Sequence, residues 1–229
     1  MTKTIIVGGY GSGISAAVAD RFGSEGFAVA LVARNADRLA AGARALEAKG
    51  VRAAAFPADL TDPAVVRALV GTVRERLGPI TVLHWNTYTG EASDLLTADT
   101  AALHRVFDLS VSGLMAAVQA ALADLKAQKE PAVLVTNGGF GLVDPQIDAI
   151  AVQTNAMGLA LGNAAKHKLV GLLAAKLKPE GIYVGEVMVL GTVKGTAWDS
   201  GNATIEASAV ANKFWEMYRA RTDSMAQIG

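Results

Sequence analysis

The sequence lacks cysteine, net charge and long hydrophobic runs, and each absence excludes a class of protein. Without cysteine among its 229 residues, the chain cannot form a zinc–thiolate site, an iron–sulfur cluster or a thiol nucleophile. Basic and acidic residues number 21 each, whereas a nucleic-acid-binding surface needs a clustered basic excess. The longest uncharged run, residues 149–165, is interrupted by glutamine, asparagine and glycine, so no stretch of about 18 apolar residues indicates a membrane helix. We expect no nucleic-acid or membrane partner.

Short β-branched runs alternate with longer segments of helical spacing. The predicted strands are Thr4–Val7, Ala28–Ala33, Val51–Phe56, Ile80–Trp85, Ala132–Thr136 and Ile182–Leu190, and the final Met-Ala-Gln-Ile-Gly is a short seventh. The predicted helices are Ser12–Ser24, Asn35–Lys49, Asp62–Leu77, Thr97–Lys129, Ala151–Lys178 and Thr204–Arg221. Apolar strands that alternate with helices are typical of a parallel sheet covered on both faces. We predict one α/β domain over residues 1–229, a Rossmann-type doubly wound parallel sheet of six to seven strands.

The sequence also allows a prediction of the protein's cellular location and of its oligomeric state. The opening Met-Thr-Lys-Thr-Ile-Ile-Val runs directly into a glycine turn, as a strand does and a signal peptide does not, so we expect a cytoplasmic protein. Segments Leu109–Ala123 and Ala156–Leu177 are rich in alanine and leucine over much of their surface. A helix that is apolar all round must be covered, which favours a homodimer or homotetramer through these two helices. The alternative is a pair of weakly amphipathic surface helices.

A glycine-rich turn, Gly8-Gly9-Tyr10-Gly11-Ser12-Gly13-Ile14-Ser15, follows the first predicted strand. Glycine lets the backbone turn sharply and approach a pyrophosphate, and the next helix directs its free N–H groups at the phosphate oxygens. We predict dinucleotide contacts at Gly9, Gly11, Ser12, Gly13 and Ile14. The alternative is a tight turn with no ligand.

The end of the second predicted strand favours NADP over NAD. An acidic residue there would bind the ribose 2′-hydroxyl of NAD, but the strand ends Ala33-Arg34-Asn35. Arg34 can pair with a 2′-phosphate, although a solvated arginine at a helix start is the alternative. After the third strand, Asp59 is placed either near the adenine amino group or as a favourable charge at a helix start.

These residues resemble the short-chain dehydrogenase/reductase superfamily over essentially the whole chain. The similar segments are Gly9-x-x-x-Gly13-Ile14, Ala-Arg-Asn-x-x-Arg-Leu at 33–39, Asp59-Leu60, Asn86, residues 107–113 and residues 174–184. The resemblance implies cofactor contacts at Gly9, Ser12, Gly13, Ile14, Arg34, Asp59, Leu60 and Asn86, and main-chain contacts to the nicotinamide near Gly191–Val193. Asn35 follows Arg34 and joins this set. The resemblance also implies hydride transfer to or from a small carbonyl, alcohol or imine.

The chain departs from the family pattern at several positions. The usual threonine and glycine of the turn are Gly8 and Ser15, and the usual Asn-Asn-Ala-Gly after the fourth strand is Trp85-Asn86-Thr87-Tyr88. The family's relay asparagine corresponds to Ser110, and its catalytic serine falls in Thr136-Asn137-Gly138-Gly139.

The family's tyrosine and lysine, four residues apart on one helix face, are also altered. The usual spacing from Pro179 assigns Leu159 and Asn163 to these positions, whereas a three-residue deletion would assign Gly162 and Lys166. In either register the helix has no tyrosine. By position alone, Ser110, Asn137 and Asn163 are the candidate catalytic residues.

Several other polar and aromatic residues have a structural and a functional interpretation. His84, His104 and His167 show no metal-ligand spacing, so we expect no metal, and His84 is predicted to be a hydrogen-bonded core residue. Tyr88 is predicted to be a wall of the substrate pocket rather than a displaced acid. Trp198 is either a lid over the substrate or a hydrophobic anchor.

Three functions remain compatible with the sequence. The first is an NADP(H)-dependent oxidoreductase with a small-molecule substrate and a non-standard catalytic set. The second is a cofactor-binding sensor or partner subunit without catalysis. The third is non-redox chemistry in the same cleft. The intact glycine turn and Arg34 favour the first.

Overall fold

A computed structural model describes residues 3–229, and all seven of its strands form one parallel sheet in the order β3-β2-β1-β4-β5-β6-β7. The strands are β1 (Lys3–Gly8), β2 (Phe27–Ala33), β3 (Ala53–Pro57), β4 (Ile80–Trp85), β5 (Ala132–Gly138), β6 (Tyr183–Val189) and β7 (Met225–Ile228). The helices are α1 (Ile14–Ser24), α2 (Ala36–Glu47), α3 (Pro63–Leu77), α4 (Thr100–Phe107), α5 (Gly113–Ala127), α6 (Pro145–Gln153), α7 (Met157–Leu177) and α8 (Ala207–Ala220). This architecture confirms the predicted doubly wound Rossmann-type sheet.

Each face of the sheet carries its own hydrophobic core. Alternate residues of β1 point to opposite faces, so Ile5 packs with α1, α2 and α8, while Ile6 packs with α3, α5 and α7. Phe22 of α1 and Phe214 of α8 are fully buried in the first core, and Leu114 of α5 is fully buried in the second. Because both faces are covered, the strands read as continuous apolar runs.

The caps of the helices explain where several of them begin. Asn35 accepts a hydrogen bond from the Arg38 N–H and caps α2, and Asp62 caps α3 with Pro63 at its first position. Asp144 accepts hydrogen bonds from the N–H groups of Gln146 and Ile147 and caps α6.

Two long predicted helices differ from the structure. The predicted helix Ala151–Lys178 is wrong as a single element: α6 ends at Gln153 and α7 begins at Met157, with Asn155 between them at φ 50. A left-handed residue cannot continue a helix. The apolar segments on either side of residues 153–155 made the two helices look like one in the sequence. The predicted helix Thr97–Lys129 is observed as Thr100–Ala127, interrupted by a π-helical turn at Asp108–Ser112.

This continuous helical run, Thr100–Ala127, is long and apolar enough to cross a membrane by length and composition alone. A buried helix of a globular core meets the same criterion. Here Leu114, Ala117 and Leu125 pack in the core on one face of the sheet, as expected for a core helix.

Candidate functional site

A cleft of about 1560 Å³ opens at the carboxyl ends of the central strands, where open α/β sheets bind their ligands. We call it the strand-end cleft. All twelve sequence-predicted cofactor residues line it: Gly9, Gly11, Ser12, Gly13, Ile14, Arg34, Asn35, Asp59, Leu60, Asn86, Gly191 and Val193. The folding of distant segments around one strand edge therefore brings the whole predicted set together.

The glycine turn forms the floor of the cleft beneath α1. Gly9 has φ 79, and a Cβ there would overlap the main-chain carbonyl of Asn86. Gly13 precedes α1, and no side chain caps that helix end. The first N–H groups of α1 thus stay available, at the positive end of the helix dipole, for an anion.

Two departures from the family pattern in this turn have direct structural reasons. Ser15 donates a hydrogen bond to the Gly9 carbonyl (2.8 Å) and accepts one from Asn86 Nδ2 (2.6 Å), which ties the glycine turn to the end of β4. A Cβ at Gly8 would lie 2.8 Å from Trp85 Cε3. The bulky Trp85 therefore requires glycine at position 8. Gly8 and Trp85, which both depart from the family pattern, thus compensate each other.

One end of the cleft carries positive charge. Arg34 and Arg38 are exposed and line the cleft at the start of α2, and neither guanidinium donates a hydrogen bond within residues 3–229. The nearby Asp59 carboxylate accepts two hydrogen bonds from Thr61, and these, together with Arg34, hold its pKa below the usual value. The two residues directly after β2, Arg34 and Asn35, are not acidic, so this end suits a phosphate better than a bare hydroxyl.

The three candidate catalytic residues differ in their placement. Asn137 is buried and lines the cleft, but its Nδ2 already donates to the Asn163 carbonyl (3.0 Å) and to Glu186 Oε1 (2.7 Å). An amide has two N–H donors, so Asn137 has none left to donate to a ligand in the cleft. Ser110 does not line the cleft; its Oγ faces Gly162, 2.8 Å from where a Cβ would lie.

Asn163 is the candidate that the structure places in the cleft with its amide free. It is buried, lines the cleft and lies beside Gly138, whose Cβ would be 2.8 Å from Asn163 Nδ2. Its side chain forms no hydrogen bond within the part of the chain that the structure describes. Leu159, one turn earlier on α7, also lines the cleft.

Two buried charged residues, Lys166 of α7 and Glu186 of β6, lie between the helix and the sheet. The Lys166 side chain is 2% exposed and lines the cleft, and its Nζ donates a hydrogen bond to the Thr87 carbonyl (3.0 Å). Glu186 is 1% exposed on β6, and its Oε2 lies 2.5 Å from His167 Nδ1. Burial lowers the pKa of Lys166 to about 8, although the negative charge of Glu186 raises it in part.

Sequence reasoning missed Glu186, considered His167 only as a metal ligand, and left Lys166 as the alternative register. A glutamate in an otherwise apolar strand was a usable signal, because a buried carboxylate needs partners. The second signal was helical spacing. Lys166 lies three residues after Asn163 and four before Val170, and all three are buried on the same face of α7.

An aromatic pair stands at the mouth of the cleft. Tyr88, after β4, and Trp198, after β6, are 45% and 56% exposed, with ring centroids 6.1 Å apart. The segment that carries Trp198 lies on the glycine turn, since Ser12 Oγ donates to the Gly195 carbonyl (3.0 Å). Both aromatic residues line the cleft.

His84 is a core residue, as predicted. It is fully buried on β4, its Nε2 lies 3.1 Å from Thr136 Oγ1, and burial lowers its pKa to about 3. The imidazole is therefore neutral at physiological pH. Between residues 3 and 229, no three histidine, aspartate or glutamate side chains are grouped as a metal site would require.

The parallel sheet and its glycine turn define a Rossmann-type protein. The family model for short chain dehydrogenases matches residues 3–204, so the chain belongs to the short-chain dehydrogenase family of oxidoreductases.

Known proteins of this family resemble the chain at low identity. The 1-deoxy-11-beta-hydroxypentalenate dehydrogenase of Streptomyces exfoliatus is 27% identical over 220 residues, which cover 94% of this chain and 79% of that protein. A short chain dehydrogenase from Burkholderia cenocepacia in complex with NADP is 26% identical, with a TM-score of 0.85 over 99% of this chain and 96% of that one. An NADPH-bound short chain oxidoreductase from Pseudomonas aeruginosa, which contains an atypical catalytic center, is 20% identical, with a TM-score of 0.85 over 98% and 94% of the two chains.

Proposed function

We propose that this protein is an NADP(H)-dependent oxidoreductase that acts on a small carbonyl, alcohol or imine with a non-standard catalytic set. The observation that carries the proposal is the joint lining of one cleft by the glycine turn, two guanidinium groups without an acceptor and a buried ammonium group. The bound NADP and NADPH of the Burkholderia and Pseudomonas structures support the choice of cofactor.

The residues present suit this cofactor. The uncapped first turn of α1 and the closely approached Gly9 would hold the pyrophosphate. Arg34 and Arg38 would hold the 2′-phosphate. When bound, NADP(H) supplies or accepts the hydride.

The size of the cleft agrees with two ligands. Its volume of about 1560 Å³ exceeds the roughly 300–1,000 Å³ of a pocket for one small ligand. The end away from Arg34 is lined mainly by apolar side chains, among them Leu142, Ile147, Ile150, Leu159 and Leu190. These walls would exclude water and receive the substrate beside the cofactor.

The polar groups at that end divide into binding and positioning roles. Asn163, with its free amide, would hydrogen-bond a ribose hydroxyl or the substrate oxygen. Asn137 would act indirectly, because its hydrogen bonds to the Asn163 carbonyl and to Glu186 fix the packing of α7 on β5 and β6. Ser110 packs against α7 from outside the cleft.

The preference for NADPH over NADH tests whether Arg34 binds the 2′-phosphate of the cofactor. We expect quenching of tryptophan fluorescence to report tighter binding of NADPH than of NADH, and Arg34→Ala to weaken NADPH binding about 10- to 100-fold, as expected for one or two charge-assisted hydrogen bonds. NADH binding should change little. Arg44→Ala, an exposed substitution on the adjoining helix α2 that lies outside the cleft lining, is the matched control. Equal effects of Arg34→Ala on both cofactors would contradict the assignment.

Turnover separates the three functions. NADPH consumption at 340 nm is measured against ketones, aldehydes, 2-oxo acids and cyclic imines, and in reverse with NADP⁺ and alcohols. Reduction of any class supports the oxidoreductase. NADPH binding without turnover would instead support a sensor or partner subunit, and no binding of either cofactor would support non-redox chemistry.

We also propose a homodimer or homotetramer through α5 and α7. Large apolar side chains remain exposed on these two helices: Met115 at 42%, Leu161 at 37% and Leu172 at 58%. A second copy would cover them and remove this apolar area from water.

A further inference from the structure

We propose that Lys166, and not a tyrosine, donates the proton to the substrate oxygen, and that the buried carboxylate of Glu186 favours its ammonium form. The inference rests on the proposed function, because it assigns the proton donor of that reaction.

The geometry of Lys166 leaves donors free toward the cleft. An ammonium group has three N–H donors, and only one is used within residues 3–229, on the Thr87 carbonyl. Thr87 lies between Asn86 and Tyr88, all three of which line the cleft. The fixed Thr87 contact therefore anchors Nζ at the cleft wall, and two N–H groups remain for a ligand.

The other titratable side chains of the cleft lining are poorly placed for this task. Tyr10 packs against Gly42 of α2, and Asp59 is held by Thr61 beside Arg34. These groups belong to the end with the two arginines. Tyr88 is nearly half exposed at the mouth.

The remaining charged groups of the lining are excluded for similar reasons. Glu91 and Arg105 are paired with each other at 2.6 Å on the exposed rim, and the guanidinium groups of Arg34 and Arg38 are not general acids, because arginine is not deprotonated in proteins. Among the described residues that line the cleft, Lys166 alone is a buried acid.

Glu186, on β6, supplies a buried negative charge that acts on the Lys166 ammonium. Its carboxylate is held from two sides, by Asn137 Nδ2 at 2.7 Å and His167 Nδ1 at 2.5 Å. Glu186 is the one charge that raises the pKa of Lys166 against the effect of burial. The other titratable groups on the elements packed against α7 do not contribute to this shift: His104, Arg105, Asp108, Asp148, Lys178, Glu180 and Tyr183.

The resulting acid matches its task. A general acid works best when its pKa is near the working pH, and burial lowers the pKa of Lys166 to about 8. In the reduction, the substrate carbonyl carbon gains a hydride from NADPH and its oxygen gains a proton from Lys166 Nζ, which becomes a neutral amine. The products are an alcohol and NADP⁺, and water in the open cleft returns the proton to Nζ. In the oxidation, the neutral amine accepts the proton.

Direct titration of the lysine side chains tests the acid without relying on turnover. In protein labelled with ¹³C-lysine, the ¹³Cε signals are followed by NMR from pH 6 to 11. We expect one signal with a midpoint near 8, absent in Lys166→Met, and shifted to lower pH in Glu186→Gln because the attracting carboxylate is lost. Lys168→Met, an exposed substitution on the same helix, should leave that signal unchanged. If no lysine titrates below about pH 9, the inference fails.

Turnover then tests donation itself. Lys166→Met should retain NADPH binding within about tenfold but lose about 10²- to 10⁴-fold in carbonyl reduction, the usual contribution of a general acid. Lys166→Arg keeps a positive charge but does not release the proton, so it should also be inactive while still binding NADPH. In the wild type, kcat for reduction should fall as the pH rises through about 8, and Glu186→Gln should move this decline to lower pH.

The outcomes separate this inference from the proposed function. If the wild type binds NADPH but reduces no carbonyl or imine, the proposed function fails and donation with it. If the wild type reduces a substrate and Lys166→Met or Lys166→Arg keeps more than a tenth of that rate, the proposed function stands and donation by Lys166 is refuted.

Discussion

Replacing Lys166 with methionine should stabilise the protein at neutral pH, because the fold holds an ammonium group out of water. The folded-state pKa is about 8 and the ordinary value is 10.5. Each pH unit corresponds to about 1.4 kcal/mol, so the charged lysine costs roughly 3 kcal/mol of folding free energy below pH 8. Loss of the Thr87 hydrogen bond offsets about 1 kcal/mol of this, and a net gain of about 2 kcal/mol is expected. Such a cost fits a residue retained for its chemistry rather than for stability.

The sign of the pH dependence is fixed by the direction of the shift. Between pH 8 and 10.5 the unfolded chain binds the proton of Lys166 and the folded chain does not, so the stability of the wild type rises with pH in this window. That contribution is complete above 10.5 and is lost as the pH falls through about 8.

Urea unfolding of the wild type and Lys166→Met at several values from pH 7 to 10.5 measures the difference. The advantage of the variant should shrink by roughly 3 kcal/mol across the window, while constant terms such as the lost hydrogen bond cancel. Lys168→Met, at an exposed position, should show no such trend. A difference between wild type and Lys166→Met that does not change with pH would refute the buried, shifted ammonium.

Three further predictions follow from the geometry. His84, whose pKa burial lowers from 6.5 to about 3, should make the wild type lose stability as the pH falls from 6.5 toward 3, and His84→Leu should remove that part of the acid sensitivity in urea titrations. Gly9→Ala should abolish NADPH binding and lower the melting temperature more than Gly26→Ala, since both glycines have positive φ but only Gly9 faces a main-chain carbonyl; equal effects would contradict the close approach. Met115→Glu with Leu172→Glu should convert an oligomer to a monomer in light scattering, whereas a monomeric wild type would refute the proposed interface.

The fold and the strand-end cleft were predictable because they follow from local signals. Alternating strands and helices imply a doubly wound sheet, and the carboxyl ends of its strands meet at one edge. The glycine turn, Arg34 and Asn86 each follow a predicted strand, so their meeting in one cleft required no knowledge of packing. The break at Asn155 escaped prediction because apolar segments lie on both sides of it, and the short polar stretch 153–155 also fits the exposed face of one continuous helix.

The partners of the buried polar side chains between α7 and the sheet were not predictable in the same way. Whether a polar side chain has a free donor depends on its partners: Asn137 is saturated by Asn163 and Glu186, residues 26 and 49 positions away, while Lys166 keeps two free N–H groups. Such pairings form only when α7 packs on β5 and β6. The close packing of Gly8 on Trp85 is likewise visible only in the structure, because the two residues lie on neighbouring strands, β1 and β4.

Transfer of deuterium from NADPH carrying the label at C4 tests the central claim most directly. The protein is incubated with each labelled stereoisomer and the carbonyl and imine panel, and the products are analysed by mass spectrometry. Deuterium at the former carbonyl or imine carbon, from one stereoisomer only, is the predicted result. Absence of label in every product, at NADPH concentrations that saturate the tryptophan signal, would contradict an oxidoreductase in this cleft.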